Sequence, residues 1–158
     1  RSHYVGRTFI DPDQRIRDFG ARIKYNPVRS VMEGKRVVIV DDSIVRGNTM
    51  QQLVSMLVDA GAAEVHVRVS SPPVVSPCFY GIDMADEDEL AAAHRSVEQM
   101  REHVGATSLH YLSVEGMQAA TRMPEGSVCR ACFTREYPTR VPEQRNLAKM
   151  RFEPAVPA

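Results

Sequence analysis

Residues Val37 to Thr49 read VVIVDDSIVRGNT, and this window decides the architecture. Val37, Val38, Ile39 and Val40 form a short β-branched run, the pattern of a strand buried on both faces of a parallel sheet. The run delivers two adjacent carboxylates, Asp41 and Asp42, to its end, and a turn-like stretch with Gly47 follows. Thr49 to Ala60 then places Leu53, Met56 and Leu57 at helical spacing and stops at Gly61. The next segment, Glu64 to Val69, alternates Val65, Val67 and Val69 with polar neighbours. Strand, loop, helix and strand make a βαβ unit, so the expected class is α/β with a parallel sheet.

The same window carries chemistry. In open α/β sheets the ligand crevice lies outside the carboxyl ends of the strands. A loop whose backbone N–H groups meet a helix N-terminus is a ready anion site, and phosphate is its natural guest. Arg46 adds positive charge, Gly47 lets the backbone approach closely, and Ser43 and Thr49 offer hydroxyl donors. Asp41 and Asp42 would repel a phosphate and suit vicinal hydroxyls or a magnesium ion. The window therefore asks for a ligand with phosphate at one end and a sugar diol plus metal at the other.

Outward from the window, the 158 residues amount to about one domain. A hydrophobic fraction of 43% and a charged fraction of 25% are near the globular average and exclude a disordered, collagenous or coiled-coil chain. The longest aliphatic run is far below the ~20 residues of a membrane helix, and no charged-then-apolar leader opens the chain, so neither a span nor a signal peptide is expected. The zero net charge hides an asymmetry: residues 1–36 carry nine basic and four acidic side chains, residues 37–100 three basic and ten acidic. Without interleaved aromatics or a nucleic-acid motif, the basic front points to a small phosphorylated ligand rather than to DNA or RNA. Three cysteines, an odd number, argue for a reduced compartment such as the cytoplasm, with thiolates free for metal.

Residues 1–30 read as a long polar loop, of a length that is usually functional. Pro72, Pro73 and Pro77 mark an irregular segment leading to Cys78, Phe79 and Tyr80. A helix is expected from about Glu87 to His103, opened by the acidic cluster Asp86 to Glu89, whose charges suit the positive end of a helix dipole. A short strand near Leu109 to Leu112 and a short helix after Ser113 follow. From Met123 the prolines predict an extended wrap over the body. His66, His94, His103 and His110 fall on predicted strands or helices, as structural or exposed residues. Cys129 and Cys132 form a CxxC pair, with Cys78 as a third thiolate. On residues alone, zinc with a histidine, a redox pair and an iron–sulfur cluster all stay open.

The thirteen-residue window resembles the phosphoribosyl pyrophosphate (PRPP) motif of type I phosphoribosyltransferases, and the spelling DDSIVRG is similar to that of the amidophosphoribosyltransferase family. The resemblance spans nearly the whole chain to about Pro138. Tyr4 to Ile10 (YVGRTFI), with Pro12, Gln14, Arg17, Arg22, Lys24 and Asn26, is similar to the family's flexible loop, which closes over PRPP. Ser71 to Asp83, Tyr111 to Gly116 and Cys129 to Thr134 also look like family signatures. Asn48 stands where the family pattern has Thr, a change that still leaves a hydrogen-bonding side chain.

The resemblance implies a partial type I phosphoribosyltransferase fold with an extended cysteine-containing C-terminal segment. Residues 1–122 would be the C-terminal part of the transferase domain, with the loop in 1–30 and the PRPP motif in 37–49, and residues 123–158 the wrap with its CxxC. It implies displacement of pyrophosphate from PRPP by glutamine-derived ammonia, giving 5-phosphoribosylamine, the first step of purine biosynthesis. Ser43, Ile44, Val45, Arg46, Gly47, Asn48 and Thr49 would hold the 5-phosphate, Asp41 and Asp42 the ribose hydroxyls with Mg2+, and Arg22 and Lys24 the pyrophosphate. Cys78, Cys129 and Cys132 would ligate a 4Fe-4S cluster, whose fourth cysteine lies upstream in the family. The chain opens at Arg1, not Met, and an N-terminal glutaminase domain with its nucleophilic cysteine is expected to be missing, leaving the segment inactive alone. A homo-oligomer is implied, with no nucleic-acid or membrane partner. The alternatives are another type I phosphoribosyltransferase, which offers no role for three cysteines, and a non-enzymatic PRPP-sensing regulator.

Overall fold

The computed structural model describes residues 27–82, 84 and 87–141. Arg22 and Lys24 with most of the basic loop, Asp86, and the tail beyond residue 141 lie outside the described residues. The elements are α1 (Arg29–Met32), β1 (Arg36–Asp41), α2 (Asn48–Asp59) and β2 (Glu64–Val69). After a 3-10 turn at Glu87–Glu89 come α3 (Ala91–His94), α4 (Val97–Val104), β3 (Ser108–Tyr111), α5 (Val114–Thr121) and α6 (Ala131–Thr134). The sheet is parallel, in the order β1-β2-β3. Asp41 pairs with Val69 and Val69 with Tyr111, so the three strands end in one row.

The alternation of β2 sets the core. Val65, Val67 and Val69 are buried, Val67 completely, against Met50 and Val54 of α2, Met100 and Val104 of α4, and Leu109 of β3. The inward stripe of α2 is Met50, Val54 and Leu57, an i, i+4, i+7 series. Leu53 and Met56 flank that stripe and are only partly buried. The polar residues of β2 face the other side, where they form a ladder across the sheet. Arg36 Nε donates to Glu64 Oε2 at 2.7 Å, which lies 2.8 Å from His66 Nε2. His66 Nδ1 meets Ser108 Oγ at 2.9 Å, and Arg68 Nη1 donates to the same hydroxyl at 3.0 Å. His66 is thus structural, as its place on a strand predicts.

Two expectations change. β1 is not buried on both faces: Val38 and Val40 are 58% and 73% exposed, and no described element lies over them. A β-branched run specifies a strand, but what covers it depends on residues elsewhere in the chain. The helix expected over 87–103 is three pieces, because Arg95 and Ser96 are extended. Ser96 restarts the chain as the N-cap of α4: its Oγ accepts from the Gln99 amide at 3.2 Å, while the Gln99 side chain accepts from the Ser96 amide at 2.8 Å. The strand near 109–112 and the helix after Ser113 form within a residue of expectation, with Ser113 Oγ capping the Gly116 amide at 2.9 Å.

Candidate functional site

The site sits on the row where the strands end. Asp41 is the last residue of β1, and its carbonyl is fixed by the Ser70 amide at 2.9 Å and the Ser70 hydroxyl at 3.1 Å. The Asp42 amide donates to Asp41 Oδ1 at 3.0 Å, and the Ser43 amide to Asp42 Oδ1 at 2.8 Å. Partial burial pushes the Asp41 carboxyl above its usual range; the Asp42 amide pulls it back, and the neighbouring Asp42 charge adds to the rise. A cation beside the pair would remove that penalty, so the two carboxylates fit a hard divalent ion.

The loop is held from beneath. Ile44 is 3% exposed and plugs it into the core, and the Val45 carbonyl accepts from the Ala91 amide at 2.8 Å. Arg46 does not point freely outward: its Nη2 meets Glu89 Oε2 at 2.5 Å, so the acidic turn latches the loop. Gly47 has φ +86°, and a Cβ there would lie 3.2 Å from His103 Cδ2 and 3.3 Å from His103 Nε2. Both the backbone conformation and the imidazole behind it disfavour any side chain here. Helix α2 begins at the next residue with no side-chain cap and no acid in its first turn. Its leading amides, at Asn48 and Thr49 and beyond, are therefore available to an anion, with the positive helix end behind them. The structure thus brings Asp41 to Thr49 together as one crescent.

Sequence reading missed two of its supports. The sequence marks Glu89 as a helix opener and His103 as a structural or exposed residue, whereas the structure makes Glu89 the partner of Arg46 and His103 the floor under Gly47. His103 Nε2 is buried and has no partner among the described residues. Neither pairing leaves a sequence signal, since each joins residues more than forty positions apart.

The cysteines lie on the proline-rich segment and around α6. Cys78, Cys129 and Cys132 are free thiols. The amides of Val75 and Ser76 donate to the Cys132 carbonyl at 2.9 and 3.1 Å, joining the proline-rich segment to α6. Burial raises the Cys132 thiol, and the charges of Cys78 and Cys129 push the same way. Among the described residues no three histidine, cysteine, aspartate or glutamate side chains close into a ready-made metal cage. The donor chemistry, three thiols on two hydrogen-bonded segments, suits a soft metal or an iron–sulfur cluster. Arg135 joins this region to the acidic turn, 3.1 Å from Glu87. No helix among the described residues is long and apolar enough to cross a membrane.

No family model matches the chain. Curated proteins do: amidophosphoribosyltransferase of Synechococcus elongatus is 52% identical over 97% of this chain and 31% of its own length. That of Bacillus subtilis is 53% identical over 89% of this chain and 30% of its own, and the chloroplastic amidophosphoribosyltransferase 2 of Arabidopsis thaliana 50% over 92% and 26%. Among solved structures, one described as the allosteric regulatory enzyme of purine biosynthesis superposes with a TM-score of 0.75 at 51% identity, over 91% of this chain and 32% of that one. The glutamine PRPP amidotransferase of B. subtilis complexed with ADP and GMP gives 0.74 at 53%, over 90% and 32%. The parallel sheet and its helices are thus those of the PRPP amidotransferases, as the window VVIVDDSIVRGNT predicts. The chain spans about a third of the length of the curated relatives it matches. Over that span, it is similar to the amidophosphoribosyltransferases.

Proposed function

We propose that this chain is the PRPP-binding part of a glutamine amidotransferase. The reaction replaces the C1–O bond to pyrophosphate by a C1–N bond to ammonia, releasing pyrophosphate and a proton and giving 5-phosphoribosylamine. The observation that carries the reading is the crescent at the strand ends: paired carboxylates running into an uncapped helix start through a glycine where any side chain would be strained.

In this reading the amides and hydroxyls from Ser43 to Thr49 take the 5-phosphate. Asp41 and Asp42 take the ribose hydroxyls and Mg2+. The chemistry magnesium supplies when bound is neutralisation of charge on the leaving pyrophosphate. Arg22 and Lys24 would supply cations to the same group once the basic loop closes, where such charge stabilises the transition state most. Residues 1–122 would belong to the transferase domain and 123–158 to the cysteine-bearing wrap. The remaining two-thirds of a full-length relative would hold the glutaminase that generates ammonia, which is why the 158 residues alone are expected to be inactive. Cys78, Cys129 and Cys132 would hold a 4Fe-4S cluster with a structural role, because substitution at C1 moves no electrons. The reading places the protein in the cytoplasm, as a homo-oligomer.

A titration of the 15N-labelled chain with ribose 5-phosphate and Mg2+ tests the site. The amides of Gly47, Asn48 and Thr49 should move the most, and much less with ribose alone. Shifts spread evenly over the surface, or no shifts at millimolar ligand, would sink the assignment. For the thiols, anaerobically purified protein should contain iron and acid-labile sulfide; stoichiometric zinc with neither would end the cluster reading.

A further inference from the structure

Cys78 and the CxxC pair are separated by more than fifty positions, and the structure shows what joins the segments that carry them. Tyr137 lies just beyond α6, and its hydroxyl bonds to the Ser76 hydroxyl and donates to the Pro77 carbonyl at 2.6 Å. Its ring packs against Phe79, with centroids 5.1 Å apart at 56°, and against Tyr80, 6.2 Å apart at 57°. One side chain from the tail therefore grips the two residues before Cys78 and the two after it. The Tyr80 amide in turn donates to Cys78 Sγ at 3.4 Å, and the Tyr80 hydroxyl meets Thr139 Oγ1 at 3.0 Å. Ser76 is 6% exposed, so its bond to Tyr137 is made away from solvent, where a hydrogen bond is costly to lose.

We infer that Tyr137 is the positioning residue of the thiol site: it presents Cys78 to Cys129 and Cys132 by clamping residues 76–80 onto the segment that carries the CxxC. The inference rests on the reading of the three thiols as one metal site. It is specific to that site, because Tyr137 touches none of the residues of the Asp41–Thr49 crescent. Supports of this kind, one shell out from the ligands, typically change metal affinity 10- to 100-fold when removed.

Cadmium ion titrated into the reduced 158-residue chain under anaerobic conditions tests it through sulfur-to-cadmium charge-transfer absorption. The unmodified chain should show the intensity of three thiolates, and Cys78→Ser should lose about a third of it, as expected for soft-metal thiolate ligation. Tyr137→Phe keeps the ring and removes both hydroxyl bonds; cadmium binding should weaken about tenfold. Tyr137→Ala should fall to the intensity of Cys78→Ser. Strand amide signals and the ribose 5-phosphate response should be unchanged in the phenylalanine variant, which decides the matter if the alanine variant fails to fold. Full three-thiolate intensity and unchanged affinity in both tyrosine variants would overturn the positioning role, even if their thermal stability fell. No band in the unmodified chain, or one that Cys78→Ser leaves intact, would instead overturn the thiol site itself and the inference with it.

Discussion

Replacing Gly47 by alanine probes the crescent most sharply, because two separate penalties meet at one methyl group. The first is conformational: φ is +86°, and a left-handed backbone costs an L-residue about 1–2 kcal/mol. The second is steric: the new Cβ would stand 3.2 and 3.3 Å from two atoms of the His103 ring and 3.6 Å from Met100 Sδ, so the ring or the loop must give by a few tenths of an ångström. Forcing a group into such a packed space costs on the order of 1 kcal/mol, the low end of overpacking. The sum, roughly 2–3 kcal/mol, is read as a lower midpoint in urea unfolding with an unchanged slope. Ribose 5-phosphate should then no longer move the amides of residues 47–49. A double-mutant cycle with His103→Ala separates the penalties: the steric part, about 1 kcal/mol, should appear as coupling between the two sites, whereas the left-handed strain should persist. A Gly47→Ala chain as stable as its parent, or a cycle with no coupling, would refute the argument that His103 forms the floor of the loop.

Other expectations follow from the same structure. Val67→Ala, at a completely buried position in the central strand, should cost about 2 kcal/mol in urea unfolding, whereas Val40→Ala, on the uncovered face, should cost under about 0.5 kcal/mol. Arg36 and then His66 hold the Glu64 carboxyl below its usual 4.5, so the stability it contributes is fully present above pH 4.5 and is lost as pH falls through the lower folded value. Glu64→Gln should therefore flatten the acid side of a melting-temperature profile below pH 4.5. Asp41 has the opposite sign: burial raises its pKa, so its ionisation costs stability that appears as pH rises above 3.8. Asp41→Asn should melt higher than the parent at neutral pH and yet lose the magnesium dependence of ligand binding.

What could be read from the sequence was local. The window VVIVDDSIVRGNT carries strand, acids, loop and helix start within thirteen residues, and the alternation of Val65, Val67 and Val69 fixes which side of β2 is buried. The break before α4 is legible in principle, since Ser96 and Gln99 spell a capping box, but the acidic run ahead of it carries an equally good helix-start signal. The exposure of Val38 and Val40 was not legible, because a run of valines is silent about what lies over it. Nor were the three long-range supports, His103 under Gly47, Glu89 on Arg46 and Tyr137 on residues 76–80. Each depends on how a distant segment returns to the site, which propensity and spacing do not encode.

The central claim is that this segment is the PRPP-binding part of an amidophosphoribosyltransferase, and a graft tests it most directly. The matching third of the B. subtilis relative would be replaced by this chain, and pyrophosphate release from PRPP measured with glutamine as the nitrogen source. The account predicts glutamine-dependent release that Gly47→Ala abolishes. A graft that folds, hydrolyses glutamine and binds no PRPP would contradict it.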